Sequence, residues 1–220
     1  MKIEINKIKE KIKKELTVDL KENIKWFILF VCLIVFIFLI QNAFNKEIMT
    51  MDKLGYNYIS EYIISDNITP IAKFITNFGG VIFLIISTLL LLLLIRNKKI
   101  GFCICTNLIL SAGLNTGLKY IVQRPRPTEF RIIDESGYSF PSGHSMVSMA
   151  FYGFLIYLVH KNIKNKYLKW TLITFLSILI LLIGTSRIYL GVHYTSDVLA
   201  GFVLAISYLI VFTKFTKKII

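Results

Sequence analysis

Ser186-Arg187-Ile188-Tyr189-Leu190-Gly191-Val192-His193-Tyr194-Thr195-Ser196-Asp197 joins two long apolar runs and brings together an arginine, a histidine and an aspartate. On one unbroken helix His193 and Asp197 would share a face, and Arg187 would point elsewhere. Gly191 permits a break, so Arg187 is read as ending one helix, with His193 and Asp197 opening the next. A carboxylate one turn from a histidine can bond one ring nitrogen, fix the tautomer and leave the other nitrogen free to attack. An arginine held nearby offers a fork of donors that suits phosphate oxygens. The same residues would also serve as a polar cap between two membrane helices, satisfied by water. Ionisable groups beside a bilayer span are costly, which favours the functional reading.

The flanking runs decide the class. Of 220 residues, 55% are hydrophobic, and mean hydropathy is +0.65. Six runs, about 26–44, 79–95, 101–122, 144–160, 170–186 and 194–213, approach the roughly 20 residues that cross a bilayer's hydrocarbon core. The expected fold is therefore all-α: a polytopic membrane protein built as a bundle of six transmembrane helices. The mixed region 45–78 contains Asp66-Asn67-Ile68-Thr69-Pro70, a turn or helix start, and its aromatic and isoleucine content suggests interfacial helices packed over the bundle. Residues 1–25 set Ile5, Ile8, Ile12 and Leu16 at helical spacing among lysines. They read as an amphipathic helix on an anionic membrane surface, or as a solvated helix that only enforces topology. The chain thus divides into a Lys-rich extension (1–25), a six-span domain (26–213) and a short basic tail (214–220). The first apolar run starts at Trp26, lacks a small-residue cleavage site and is expected to remain as an anchor. Cys32, Cys103 and Cys105 all fall inside apolar runs and read as small packing residues.

The formal charge is +13, which in a soluble chain would suggest nucleic acid. Here the cations cluster at the ends of apolar runs, so topology accounts for most of them and no nucleic-acid partner is expected. With the N-terminus in the cytoplasm, the inner segments hold 18 of the 26 cations, and the outer side nets zero. The expected location is the plasma membrane, both termini cytoplasmic. Lys119, Arg124, Arg126, Arg131 and Arg187 then lie on the outer side, where topology gives cations no reason to gather.

Those outer cations belong to three clusters. Lys119 and Arg126 stand seven residues apart and would project alike if their helix persisted, while Pro125 and Pro127 stiffen its exit. Pro141-Ser142-Gly143-His144 precedes the fourth span; serine is a preferred N-cap, and glycine lets a ligand approach the amides of a helix N-terminus, which bind anions. The third cluster is the opening stretch. All three fall at the outer ends of spans three to six and can face one pocket. Together they supply what displacement at phosphorus needs: charge for the equatorial oxygens, an in-line nucleophile and an acid for the leaving oxygen. No carboxylate or histidine cluster of metal-site type accompanies them, so the cations are expected to replace a metal, with no cofactor.

The pattern Lys119-x6-Arg126-Pro127, Pro141-Ser142-Gly143-His144, Ser186-Arg187-x5-His193-x3-Asp197 resembles the three-part signature of the type 2 phosphatidic acid phosphatase superfamily, which also includes soluble vanadium haloperoxidases. The resemblance runs from about residue 60 to 213. It implies metal-independent hydrolysis of a phosphomonoester or diphosphate through a phosphohistidine. By position it makes His193 the nucleophile, Asp197 its orienting partner and His144 the general acid. Lys119, Arg126 and Arg187 would hold the phosphoryl oxygens, assisted by the Ser142 hydroxyl and the Gly143 amide. Arg124 and Arg131 match no signature position. Tyr138, Phe140, Tyr189 and Tyr194 read as packing or pocket walls.

A site at membrane depth with no separate soluble domain points to a phosphate or diphosphate on an apolar tail. Undecaprenyl diphosphate, released on the outer face, is the favoured substrate; phosphatidylglycerophosphate and phosphatidic acid are the alternatives. A haloperoxidase would use the same pocket for vanadate, but six spans argue against it. A non-catalytic lipid-phosphate-binding or transport protein would not need both histidines and the aspartate.

Overall fold

The computed structural model describes residues 2–128 and 131–219, with side chains at residue 20 and from residue 22 onward. Among the described residues the chain is entirely helical: α1 (Lys2–Phe44), α2 (Thr50–Tyr62), α3 (Ile68–Asn77), α4 (Val81–Leu94), α5 (Lys98–Val122), α6 (Gly143–Asn162), α7 (Lys166–Tyr189) and α8 (Thr195–Thr216). The expected amphipathic pattern of residues 1–25 falls almost wholly outside the described side chains.

Four helical stretches are long and apolar enough to cross a membrane: Glu22–Phe44, α5, α7 and α8. A fifth arises if α3 and α4, bent by 50° at their junction, count as one broken span. This is fewer than the six expected. The helix that falls short is α6, whose first two turns carry His144, Ser145 and Ser148 and dilute its apolar content. It is nonetheless the hub of the bundle, packed against α5, α7 and α8. The region 45–78 is two short helices packed over the bundle, with α2 resting on α7 and α8 and α3 on α7.

Local chemistry places the breaks. Asn97, Ser142 and Asn165 each cap the helix that follows, their side chains accepting from the amides of Lys99, Ser145 and Leu168. α5 stops at Gln123, which takes a left-handed conformation (φ 50°) just ahead of Arg124-Pro125. Gly191 adopts φ 71° in the turn between α7 and α8, the break that the sequence places there.

Two apolar clusters hold the helices together. One joins Phe36 and Leu39 of α1 to Phe140, Met146, Ala200 and Ala205; the other joins Leu84, Ile104, Phe151, Phe154, Ile183 and Phe212. Large apolar side chains also remain exposed, including Phe27, Phe30, Ile37, Leu93, Phe175 and Leu181. An outward surface of this kind suits lipid tails rather than water.

Small residues let α8 reach the N-terminus of α6. A Cβ added at Gly201 would lie 3.0 Å from the Ser142 carbonyl oxygen and 3.1 Å from the Met146 amide, both backbone atoms that cannot rotate away. Gly201→Val should therefore cost about 1–3 kcal/mol of stability through overpacking. A lowered thermal midpoint in detergent would register it; an unchanged midpoint would mean that this contact is loose.

Candidate active site

One end of the bundle carries Trp26 at the base of the first span and Lys214 near the end of α8, whose ammonium sits 4.4 Å from the Trp26 ring. The opposite end gathers the sequence clusters: the C-terminus of α5, the N-terminus of α6, the α7–α8 turn and the 123–142 connection. The N-terminal end of the first span and the C-terminal end of the last thus lie away from the site.

Lys119 and Arg126 do converge, though not along one helix, because α5 has already ended at Val122. Instead Lys119 Nζ donates to the Tyr138 carbonyl, and Arg126 folds back from the connection. Arg126 donates through Nε to the Gly137 carbonyl (3.1 Å) and through Nη2 to the Ser136 carbonyl (2.9 Å). Its Nη1 reaches the Val192 carbonyl (2.9 Å) and His193 Nε2 (3.1 Å). Burial lowers the pKa of Arg126, partly offset by the Glu135 and Asp197 carboxylates.

The N-terminus of α6 lies against this group. Ser142 is fully buried and works as the helix cap, its Oγ accepting from Ser145 Oγ at 2.9 Å. At Gly143 there is little room for a side chain, since a Cβ would lie 3.0 Å from Asn115 Oδ1 and 3.8 Å from Lys119 Cε. His144 packs beside Gly79 and feels the charges of Arg187, Lys119 and Arg126.

Arg187 is 1% exposed. Its Nη1 donates to Thr76 Oγ1 (2.8 Å) and its Nη2 to Glu135 Oε1 (2.7 Å), while Nε is buried with no partner among the described residues. Buried guanidinium donors are almost always satisfied, so this Nε is a donor still available to a ligand. Glu135 also lies 3.7 Å from Arg126 and so ties the two guanidiniums together.

His193 sits on the turn before α8, 3% exposed. A guanidinium has only donors, so Nε2 must accept from Arg126 Nη1, and the ring proton must be on Nδ1. Nδ1 faces Asp197 Oδ2 at 3.4 Å, close enough for charge attraction but without the alignment of a formed hydrogen bond. Burial depresses the pKa of His193 to about 4, against the raising effect of Asp197, so the ring is neutral at pH 7. Asp197 is itself fixed: its Oδ2 accepts from the Tyr194 amide (2.9 Å) and from Ser139 Oγ, and its Oδ1 from Arg124 Nη1 (2.7 Å).

All eight residues singled out in the sequence therefore meet at one end of the fold. Arg131 is tied to its own loop, its Nε donating to the Pro127 carbonyl at 2.6 Å, and reaches the site only through its charge on Arg126. Sequence reasoning missed Glu135, Thr76, Asp52 and the part played by Arg124. The excess of outer cations did mark Arg124, whereas nothing near Asp52 distinguishes it from a surface acid. A cavity of about 250 Å³ lined by Asp52, Lys53, Tyr56, Pro127, His193 and Thr195 opens beside the histidine.

Comparison with known proteins agrees with this geometry. Residues 100–220 match the PAP2 superfamily. The chain is 30% identical over 182 residues to an undecaprenyl-diphosphatase of Sulfolobus acidocaldarius, covering 78% of this chain and 84% of that one. It is 38% identical over 108 residues to phosphatidylglycerophosphatase B of Bacillus subtilis, covering 48% of this chain and 53%, about half, of that relative. The crystal structure of a transmembrane PAP2-type phosphatidylglycerolphosphate phosphatase from Bacillus subtilis superposes with a TM-score of 0.75 at 26% identity, over 86% of this chain and 97% of that one. Aquifex aeolicus LpxE shares the fold at a TM-score of 0.62 and 21% identity, over 77% and 98%. With the family match covering residues 100–220 and falling on the segments that build the pocket, the chain belongs to the PAP2 superfamily.

Proposed function

We propose that the protein is an integral membrane lipid phosphatase that cleaves a phosphate or diphosphate from an apolar carrier through a phosphohistidine at His193. The observation that carries this reading is the neutral, buried His193, its Nε2 lone pair turned toward Arg126 and its proton held toward Asp197. A phosphoryl group entering between Lys119, Arg126 and Arg187 takes up their donors, including the free Nε of Arg187, and uncovers Nε2. Nε2 then attacks phosphorus as the bond to the leaving oxygen breaks, and His144 gives that oxygen a proton. The charge of the incoming phosphate offsets the surrounding cations and lets His144 hold the proton it transfers. A water next attacks the phosphohistidine, surrenders its proton to His144 and releases inorganic phosphate, which restores the Nε2 lone pair.

Undecaprenyl diphosphate is the substrate favoured, supported by the Sulfolobus relative of that name, whose match covers most of both chains. Phosphatidylglycerophosphate is the second reading, supported by the Bacillus relative and the Bacillus fold. Purified protein given undecaprenyl diphosphate, phosphatidylglycerophosphate and phosphatidic acid in EDTA should release phosphate fastest from the first. Vanadate, a five-coordinate mimic, should inhibit it. Release that stops on chelation and returns with a divalent ion would overturn the cationic-pocket mechanism.

In the bilayer, α6 is the sixth span, with α3 and α4 forming one broken span. Both termini face the cytoplasm, and the pocket faces out, in keeping with the cation count and with a site at the end opposite Trp26 and Lys214. In a background free of native cysteines, Asp134→Cys should react with an impermeant maleimide on intact cells, and Lys164→Cys should not. The reverse pattern would put the site in the cytoplasm.

A further inference from the structure

Two buried charged residues have no task in the phosphate pocket. Arg124 leaves the end of α5 and is 1% exposed; Asp52, on α2, is 2% exposed and precedes the residues matched by the family. Arg124 Nη2 donates to Asp52 Oδ2 at 2.9 Å and to the Glu47 carbonyl at 2.8 Å. Its Nη1 donates to Asp197 Oδ1 at 2.7 Å and to Ser196 Oγ at 2.8 Å, and its guanidinium lies 4.2 Å from the centre of the Tyr194 ring. Asp52 in turn accepts from the Ser196 amide (2.8 Å) and hydroxyl (2.9 Å), in the first turn of α8.

We propose that Arg124 and Asp52 are positioning residues for His193, forming a buried Asp52–Arg124–Asp197 chain that fixes the carboxylate behind the nucleophile and anchors α2 to the start of α8. The proposal rests on His193 being the nucleophile.

A network that merely fastened α2 would satisfy some of these contacts, but two features go further. Arg124 takes only Oδ1 of Asp197, while the Tyr194 amide and Ser139 Oγ hold Oδ2 where it faces His193 Nδ1, so the guanidinium fixes the one oxygen that the local turn leaves open. The chain also carries two negative charges and one positive. Beside a neutral His193 it holds one net negative charge, which is balanced when the imidazole becomes cationic on phosphorylation. Arg124 thus moderates how strongly Asp197 draws a proton onto the ring. Burial keeps the effect from being screened by water, and breaking one partner of such a chain leaves an uncompensated charge. The N-terminus of α8 stabilises both carboxylates through its amide dipoles.

Charge bookkeeping gives a signature that fastening alone lacks. The charged and titratable groups around His193 are Asp197, Lys119, Arg126, Arg187, His144 and Glu135, with Arg124 and Asp52 behind and Lys53, Tyr56 and Tyr194 across the adjoining cavity. Arg124→Gln leaves two carboxylates without a counter-charge and should move the acid limb of kcat/KM to higher pH. Asp52→Asn leaves Arg124 wholly on Asp197 and should move it to lower pH. The double variant has the native net charge and should return the limb near its wild-type position while kcat stays low.

The experiment uses full-length protein in detergent with a short-chain lipid phosphate. It measures kcat, KM and pH profiles of the wild type, Asp52→Asn, Arg124→Gln, Arg124→Lys and the double variant. Gel filtration and thermal unfolding select the folded variants. Loss of outer-shell partners that orient a reactive group typically costs about 10–100-fold, so kcat should fall by that order while KM stays within about twofold. Arg124→Lys should recover part of the loss, and with Asp52→Asn it carries the test if Arg124→Gln does not fold. Wild-type kcat in both single variants, or reduced kcat with both limbs unmoved, would overturn the positioning role. Alkaline quenching with radiolabelled substrate separates that result from failure of the underlying reading: a phosphoenzyme that persists in His193→Ala would refute the nucleophile itself.

Discussion

His193→Ala should abolish turnover on every phosphate substrate, a loss on the order of 10⁴–10⁶-fold, as removal of a nucleophile does elsewhere. No side chain nearby is free to replace it, because Glu135 is paired with Arg187, Asp52 and Asp197 are paired with Arg124, and His144 stands at the N-terminus of α6. His144→Ala should behave differently. General acid catalysis contributes about 10²–10⁴-fold, so this variant keeps measurable activity on a lipid phosphate. Its deficit should shrink on an aryl phosphate, whose leaving oxygen needs little protonation, whereas the deficit of His193→Ala should not. The measurement is the ratio of each variant to wild type on the two substrates. Selective rescue of His193→Ala would show the two roles to be exchanged.

Several of these features were legible in the sequence, for identifiable reasons. Apolar runs mark helices because a membrane-crossing segment must be long and nearly free of charge, and five of the six expected spans coincide with long apolar helices or the bent α3–α4 pair. The remaining run, α6, lies at the centre of the bundle against three other helices, so it needs few lipid-facing apolar residues and carries polar ones in its first turns. The site residues were legible because short spacings survive folding: Ser142 caps α6, and Gly191 breaks the chain between Arg187 and His193. Lys119 and Arg126 were paired for a reason that does not hold, since their meeting depends on the left-handed turn at Gln123 and not on a continuing helix. Asp52 and Glu135 could not have been found. Their site partners are far away in sequence, with 72 residues separating Asp52 from Arg124 and 52 separating Glu135 from Arg187, and the local contact of Asp52, the Met49 amide at the start of α2, reads only as a helix cap.

Asp197→Asn should cost about 10⁴-fold in kcat, the scale seen when an orienting aspartate behind a catalytic histidine becomes an amide. The reason lies in its donors. Oδ1 accepts from Arg124, and Oδ2 accepts from the Tyr194 amide and Ser139 while facing His193 Nδ1. An asparagine offers one acceptor where two are required. With its NH2 in place of Oδ1 it meets a guanidinium donor head-on; in place of Oδ2 it donates to Nδ1, drives the ring proton to Nε2 and removes the attacking lone pair. Stability gives an independent readout. In the wild type, His193 has a folded pKa of about 4 against 6.5 for the free side chain, so the unfolded chain binds the proton more tightly. This part of the stability is full above pH 6.5 and is lost as pH falls toward 4. Removing the carboxylate takes away the charge that favours a protonated ring, so the variant should lose stability more steeply over the same acid range. Thermal midpoints between pH 4 and 7, together with kcat at pH 7, test both halves. A variant within tenfold of wild-type kcat would mean that Arg126 alone orients His193, and that Asp197 only completes the first turn of α8.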